Sequence, residues 1–359
     1  MPKIGISRKF GLAIGTMVAL AAVAVVAFIV AGSAGASPRR TAATATLNGA
    51  GSSLVAPLVA TWSPVYDAAT GVHVNYSSVG SGAGIAAITA RTVDFGASDA
   101  PLSPDQFTAC KGCVQIPWAL SATVPTYNIP GVGDTRLHLS GPVLADIFLG
   151  LIKKWNDPAI KKLNPKLSLP DMSITVAHRS DGSGDTFAFT DYLSKVSGTW
   201  RTKVGNNTAV DWPVGVGGKG NAGVAAIIKS TPGCIGYISV AYVLQNHLSK
   251  ARMLNAAGKY TLPGVAQIEN AAQTVKKVPA NNQMSIVDPP RSKKYAVAWP
   301  LSTFTYIIVP TTSAKASVLR KFIFWALTAG QSYGRKLVFA PIPKVVLVAA
   351  EKTLGKIHS

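Results

Sequence analysis

Residues 179–186, Arg-Ser-Asp-Gly-Ser-Gly-Asp-Thr, hold one fixed cation, two carboxylates, two serines and two glycines. A helix-like run at 187–193 follows. A Gly/Ser loop that feeds a helix start presents unpaired backbone N–H groups to an anion, and the helix dipole favours negative charge there. Arg179 adds a guanidinium fork that matches phosphate-like oxygens. Taken alone, the octet is equally well explained as a polar turn with an N-cap.

Two further segments carry the same chemistry. Gly49-Ala50-Gly51-Ser52-Ser53-Leu54 precedes an apolar run at 55–62, and Gly80-Ser81-Gly82-Ala83-Gly84 precedes another at 85–88. Each fits a flexible turn when taken singly. Three loop-to-helix starts in one chain point to convergence on one oxyanion. Residues 92–101 read as a short strand running into a turn, with Asp99 at its end. A carboxylate beside an anion site makes sense when the anion carries a proton. It accepts that hydrogen bond and repels a fully deprotonated anion.

These strings resemble the phosphate-binding proteins of high-affinity ABC-type phosphate importers. The matching pieces are Gly-Ala-Gly-Ser-Ser at 49–53, Val-Gly-Ser-Gly-Ala-Gly at 79–84 and Thr-Val-Asp-Phe-Gly-Ala-Ser-Asp-Ala-Pro-Leu-Ser at 92–103. Further matches are Ile-Lys-Lys-Trp-Asn-Asp at 152–157, Ser-Asp-Gly-Ser-Gly at 180–184, Val-Gly-Gly-Lys-Gly-Asn at 216–221 and Pro-Gly-Cys-Ile-Gly-Tyr at 232–237. Their order and spacing hold from Leu47 into the C-terminal region. The resemblance implies an α/β, periplasmic-binding-protein-like fold of two lobes with a ligand cleft between them. It puts the chain crossings near Trp118-Ala119 and Trp299-Pro300. The first lobe then joins 47–118 to 299–359, which includes the C-terminal tail, and the second spans 119–298.

The resemblance also implies a set of phosphate ligands. Ser53 stands in place of a threonine that gives hydroxyl and amide. Leu54 replaces a phenylalanine that gives only its backbone N–H. Ser81 offers hydroxyl and amide, and Asp99 accepts the phosphate proton. Arg179 supplies the cation, oriented by Asp181. Ser183 and Gly184 give amides, with a hydroxyl from Ser183. At 185 the family often has threonine, where this chain has Asp185. Its carboxylate either faces the ligand and demands a second phosphate proton, or turns away to cap the helix near Thr186 and leaves only its amide in the site. The implied protein is a monomer without cofactor, metal or catalytic residues. It captures inorganic phosphate and delivers it to an ABC-type membrane permease. A binder of sulfate or molybdate is the alternative, and Asp99 argues against it because those ions lack a proton near neutrality. An exported phosphatase would need a metal cluster or an activated nucleophile.

Composition bounds the compartment. The first charges, Lys3, Arg8 and Lys9, precede a stretch at 10–38 without any. With Ala34-Gly35-Ala36 this is the layout of a secretory leader over 1–36. The apolar run is also long enough to span a bilayer, so an uncleaved signal anchor stands beside it. Either form sends the chain to the periplasmic or outer face of the membrane, and the leader lacks a cysteine for lipid modification. Formal net charge is +20, and removing the +3 leader leaves +17. Such a field steers anions. The basic residues are scattered and form no nucleic-acid-binding motif, so no nucleic-acid partner is expected. Cys110-Lys111-Gly112-Cys113 suits a redox pair, half a zinc site or a small disulfide loop, and export favours the disulfide. Cys234 reads as a buried thiol.

The elements that must hold these loops alternate. Residues 37–46 read as a linker. Helix-like runs at 55–66 and 85–90 alternate with strand-like runs at 72–76 and 93–97, which indicates a largely parallel sheet. Beyond them, 124–128, 174–178 and 304–309 read as strands. A helix is expected over 143–155, others over 222–229 and 316–328, and a strand then a helix over 235–243. Gly215-Val216-Gly217-Gly218-Lys219-Gly220 mimics a dinucleotide fingerprint. It lacks the acidic residue about 20 positions on and reads as a tight turn before a helix.

Overall fold

The computed structural model describes residues 45–359. The leader and most of the linker lie outside them. In chain order the elements are β1 (Thr46–Gly51), α1 (Ala56–Thr70), β2 (His73–Ser78), α2 (Ser81–Thr89), β3 (Phe95–Ser98), α3 (Pro104–Ala109) and β4 (Cys113–Asn128). There follow β5 (His138–Leu139), α4 (Gly141–Phe148), α5 (Pro158–Leu163), β6 (Thr175–Arg179), α6 (Gly184–Val196), α7 (Gly198–Lys203), β7 (Val216–Gly218) and α8 (Gly220–Ser230). The rest holds β8 (Cys234–Ser239), α9 (Val240–Gln245), β9 (Ser249–Lys250), β10 (Arg252–Leu254), β11 (Tyr260–Thr261), α10 (Val265–Ala272), β12 (Ser302–Pro310), α11 (Ala316–Leu327) and α12 (Lys344–Leu354).

The main sheet runs β2-β1-β3-β12-β4-β8-β6-β7. Each end is parallel, as the alternating pattern predicts. The middle is not: β12 and β4 lie antiparallel to each other and to their neighbours. The expectation of a largely parallel sheet is corrected there. β4 carries the chain from one half to the other and β12 belongs to its return, so the two adjacent strands run in opposite senses. Residues 113–122 of β4 pair with β12 and residues 123–128 with β8. Only the second portion was expected to be a strand. Pro117 interrupts the first, and the register shifts opposite it, between Thr305 and Tyr306, where proline has no N–H to donate.

Three smaller expectations also change. Thr46, read as linker, already belongs to β1. The helix expected over 143–155 ends at Phe148, because Gly150 takes φ +72° and turns the chain. Residues 216–218, read as part of a turn, pair with β6 as β7.

Each half of the sheet packs its own aromatic cluster. Trp62 meets Trp118 edge-on at 5.3 Å, beside Phe95 and Phe322. On the other side Phe189 stacks on Tyr237 at 4.3 Å, beside Phe148 and Trp212. Rings of this size dominate core energetics. Between the clusters Trp299 donates Nε1–H to the Thr123 carbonyl at 3.0 Å, which ties the returning chain to β4 where it crosses.

Candidate anion-binding site

The strand ends of both halves face one another across this crossing. From one side come the loop after β1, the start of α2 and the loop after β3. From the other come the β6–α6 loop and the start of α8. Ser81 Oγ accepts the Gly184 N–H at 3.1 Å and the Asp99 N–H at 3.3 Å. Gly82 donates to the Gly182 carbonyl at 2.9 Å. A methyl group at Gly184 would stand 2.4 Å from Asp99 Cβ, so only glycine permits this approach.

Arg179 ends β6 and is buried. Its Nε and Nη2 grip Asp181 at 2.8 and 2.5 Å, and Nη1 lies 3.5 Å from Asp185 Oδ2. Burial works against its charge, but Asp181 and Asp185 outweigh burial and hold it protonated. Asp181 also accepts the Gly220 N–H at 2.9 Å. Burial raises its pKa less than the Arg179 hydrogen bond and charge lower it, so it stays ionised.

Asp99 is also buried. Its Oδ2 accepts the Ser52 hydroxyl at 2.5 Å. Its Oδ1 has no hydrogen-bond partner among the described residues. Its pKa is raised to about 7, first by burial and then by the charge of Asp185. The hydroxyls of Ser52 and Thr305 and the Arg179 charge pull the other way. Asp185 is fully buried too. Its Oδ1 accepts the Thr123 hydroxyl at 2.7 Å and its Oδ2 accepts Asn221 Nδ2 at 2.7 Å. Burial pushes its carboxyl above the usual range, against Arg179, Thr123 and Asn221. Without a bound anion, one cation thus faces three carboxylates, and burial favours proton uptake by Asp99 and Asp185.

Donors complete the site. The backbone N–H groups of Ser53, Ser81 and Asp185 donate to no acceptor among the described residues. They lie at or next to three loop-to-helix starts, beside the Arg179 guanidinium and the unpartnered Asp99 oxygen. A cavity of about 230 Å³, lined by Ser53, Asp181, Lys219 and Tyr242 among others, adjoins them. Convergent N–H donors, a cation and one buried acceptor suit an anion that itself carries a proton.

A family model described as the PBP superfamily domain matches residues 36–329. The phosphate-binding protein PstS of Xylella fastidiosa (strain Temecula1) is 43% identical over 300 residues, which is 83% of this chain and 81% of that protein. The chain belongs to the PstS family of phosphate-binding proteins. The Pasteurella multocida member is 42% identical over 305 residues, covering 84% of this chain and 88% of its own. Among solved structures, a high-affinity periplasmic phosphate-binding protein, PfluDING, bound with phosphate aligns with a TM-score of 0.67. It covers 86% of this chain and 93% of its own at 21% identity, a likeness of fold.

In this PstS family member the expected residues gather at one place, with differences in what their atoms do. Ser53 Oγ accepts from the amide and side chain of Asn221, at 3.2 and 3.0 Å. The Leu54 N–H, expected to face the anion, donates to Ser52 Oγ at 3.0 Å. The Ser183 amide donates to the Thr208 carbonyl at 2.8 Å, and its hydroxyl caps Thr186 N–H at 3.2 Å. Ser183 is therefore the N-cap of α6, and the helix-capping alternative for Asp185 is corrected. Asp185 lies inside the first turn, aimed at Thr123 and Asn221.

Sequence reasoning missed Ser52, Thr123, Asn221 and Tyr237. Ser52 stood in view, as the first of two adjacent serines. Tyr237 Oη accepts the Arg179 N–H at 3.1 Å and shares a proton with Thr186 Oγ1 at 2.6 Å, so it braces the cation's backbone from β8. Away from the site, Cys110 and Cys113 are joined as a disulfide and Cys234 is a buried free thiol. Among the described residues no helix is long and apolar enough to cross a membrane.

Proposed function

We propose that this chain captures inorganic phosphate between two lobes and passes it to an ABC-type membrane permease. The observation that carries the reading is one cluster of Asp99, whose Oδ1 is unpartnered, Arg179, and the amides of Ser53, Ser81 and Asp185, which donate to no acceptor among the described residues. The amides and the guanidinium take phosphate oxygens, and Asp99 takes the phosphate proton. Ser183 and Gly184 turn their amides toward the ligand when it displaces their present contacts, and Leu54 does the same. Asp181 keeps the guanidinium in register.

The lobes are 47–118 with 299–359, and 119–298, hinged at β4 and at the Trp299 crossing. Ser53, Ser81 and Asp99 belong to one lobe and Arg179 to Asp185 to the other. A ligand that touches both sets stabilises the closed form by its differential affinity. The closed form then docks on the permease. No covalent step is involved: the protein binds and delivers. The leader over 1–36 sends it out of the cell interior, where a field of +17 draws anions to it. Equilibrium dialysis of the processed protein against labelled phosphate tests the reading. Saturation at one phosphate per chain is expected, and no saturable binding contradicts it.

A further inference from the structure

A larger cavity, which shares no lining residue with the one at the cleft, lies among the loop before β5, the segment after α5 and the start of β10. Its volume is about 420 Å³ and its walls include Thr135, Arg136, His138, Lys166 and Arg252. No carboxylate lines it. Arg136, Lys166 and Arg252 pair with no carboxylate among the described residues. The nearest acid in sequence, Asp134, is taken by Lys250 through its amide at 2.9 Å and its Nζ at 2.7 Å. Three cations therefore share one concave space without a counter-charge from the protein.

The walls are held in place. Arg252 Nε donates to the Thr135 carbonyl at 3.1 Å, which leaves the two Nη groups without a partner among the described residues. Thr135 sits at φ +61°, a left-handed conformation that a β-branched residue rarely takes. Strain of this kind gathers where a ligand is clamped. The His138 ring stacks on Tyr260 at 4.3 Å. Burial, and then Arg252, lower its pKa and favour the neutral imidazole, against a hydrogen bond at Leu163.

We propose that this cavity is a second anion site, built for a compact multianion of the condensed-phosphate or tricarboxylate class. The size argues against a single tetrahedral oxyanion. Ligand clefts for small molecules run from about 300 Å³ upward, and one such ion leaves most of this space unfilled. Three cations at fixed spacing match several anionic groups on one molecule, and the guanidinium forks suit phosphoryl and carboxylate oxygens alike. The site is independent of the phosphate cleft and operates whether that cleft is open or closed.

The test uses the processed chain loaded with one equivalent of inorganic phosphate, titrated calorimetrically with tripolyphosphate and with citrate. At least one of them binds at one further site, and the one that binds more tightly names the class. The ring signals of His138 shift on binding, because an anion beside the imidazole favours its protonated form. Arg136→Gln with Lys166→Gln changes two exposed side chains and leaves the fold and the cleft intact. It weakens the second site about tenfold or more, as loss of a charge-assisted hydrogen bond does, and moves the His138 shift to correspondingly higher ligand concentration. Lys276→Gln with Lys277→Gln, two exposed lysines elsewhere, serves as the control and leaves the affinity unchanged. Failure of both probes to bind overturns the proposal. So does an equal loss in the two variant pairs, which marks diffuse attraction to a basic surface.

Discussion

Asp185 Oδ2 accepts a 2.7 Å hydrogen bond from Asn221 Nδ2, and the same Asn221 nitrogen donates to Ser53 Oγ at 3.0 Å. One amide thus ties the loop after β1 to the first turn of α6. Asp185 occupies this joint and also raises the pKa of Asp99 by its charge. Asp185→Asn removes the charge and leaves the buried Arg179 Nη1 without its carboxylate partner. The Asp99 titration then moves below its present position near 7. Stability falls by roughly 1–3 kcal/mol, the usual cost of a stranded buried polar group. Carboxyl NMR of Asp99 checks the first effect and chemical denaturation the second. An unmoved Asp99 titration contradicts the coupling.

Asp99 links stability to pH. Its folded pKa is raised to about 7, while an unfolded aspartate titrates near 3.9. The folded state therefore binds the extra proton. That contribution is fully present below about pH 4 and is lost as pH rises through about 7, at up to about 1.4 kcal/mol per pH unit for one proton. Calorimetric melting without phosphate should show the midpoint falling from pH 5 to pH 8. Asp99→Asn should flatten that slope. A wild-type midpoint that rises across this window contradicts the assignment.

Gly184→Ala isolates closure. Gly184 has no positive φ, so alanine fits its backbone, but the new methyl group meets Asp99 Cβ at 2.4 Å. The two sides can then no longer close. Phosphate affinity drops by at least about tenfold, the scale of one lost charge-assisted contact, while the melting temperature changes little. Titration calorimetry with a parallel melt separates the two effects. Wild-type affinity in this variant contradicts closure through the Gly184–Asp99 contact.

The disulfide has a direct chemical test. Thiol blocking of the exported protein under denaturing, non-reducing conditions, followed by mass spectrometry, should label Cys234 alone. Labels on all three cysteines contradict the Cys110–Cys113 bond.

How much of this was legible in the sequence depended on range. The three glycine-serine loops announced themselves locally, because loop-to-helix starts need small residues and hydroxyls at fixed positions. Asp99 and Arg179 were legible for the same reason, as charges embedded in such loops. Asn221 was not. Its partners Ser53 and Asp185 lie 168 and 36 residues away, and nothing local marks an asparagine at a helix start as a joint. Thr123 was hidden in a strand that itself went half unread. Ser121 and Thr123 are polar yet buried in β4, and with Pro117 and Pro125 they break the apolar pattern that identifies strands. Burial of that polar stretch comes from its place at the crossing, a tertiary fact.

On the proposed reading, the donor-rich cleft with one orphan acceptor selects a protonated oxyanion. Parallel calorimetric titrations of the processed protein with phosphate and sulfate test it most directly, with Asp99→Asn and Arg179→Ala beside the wild type. A buried site built for a ligand hydroxyl rejects an analogue lacking it by about 10⁴–10⁵, so phosphate should bind one-to-one with a preference of that order. Asp99→Asn should erode the preference, because an amide can donate to sulfate, and Arg179→Ala should weaken both anions. Equal affinity of the wild-type protein for phosphate and sulfate contradicts the account.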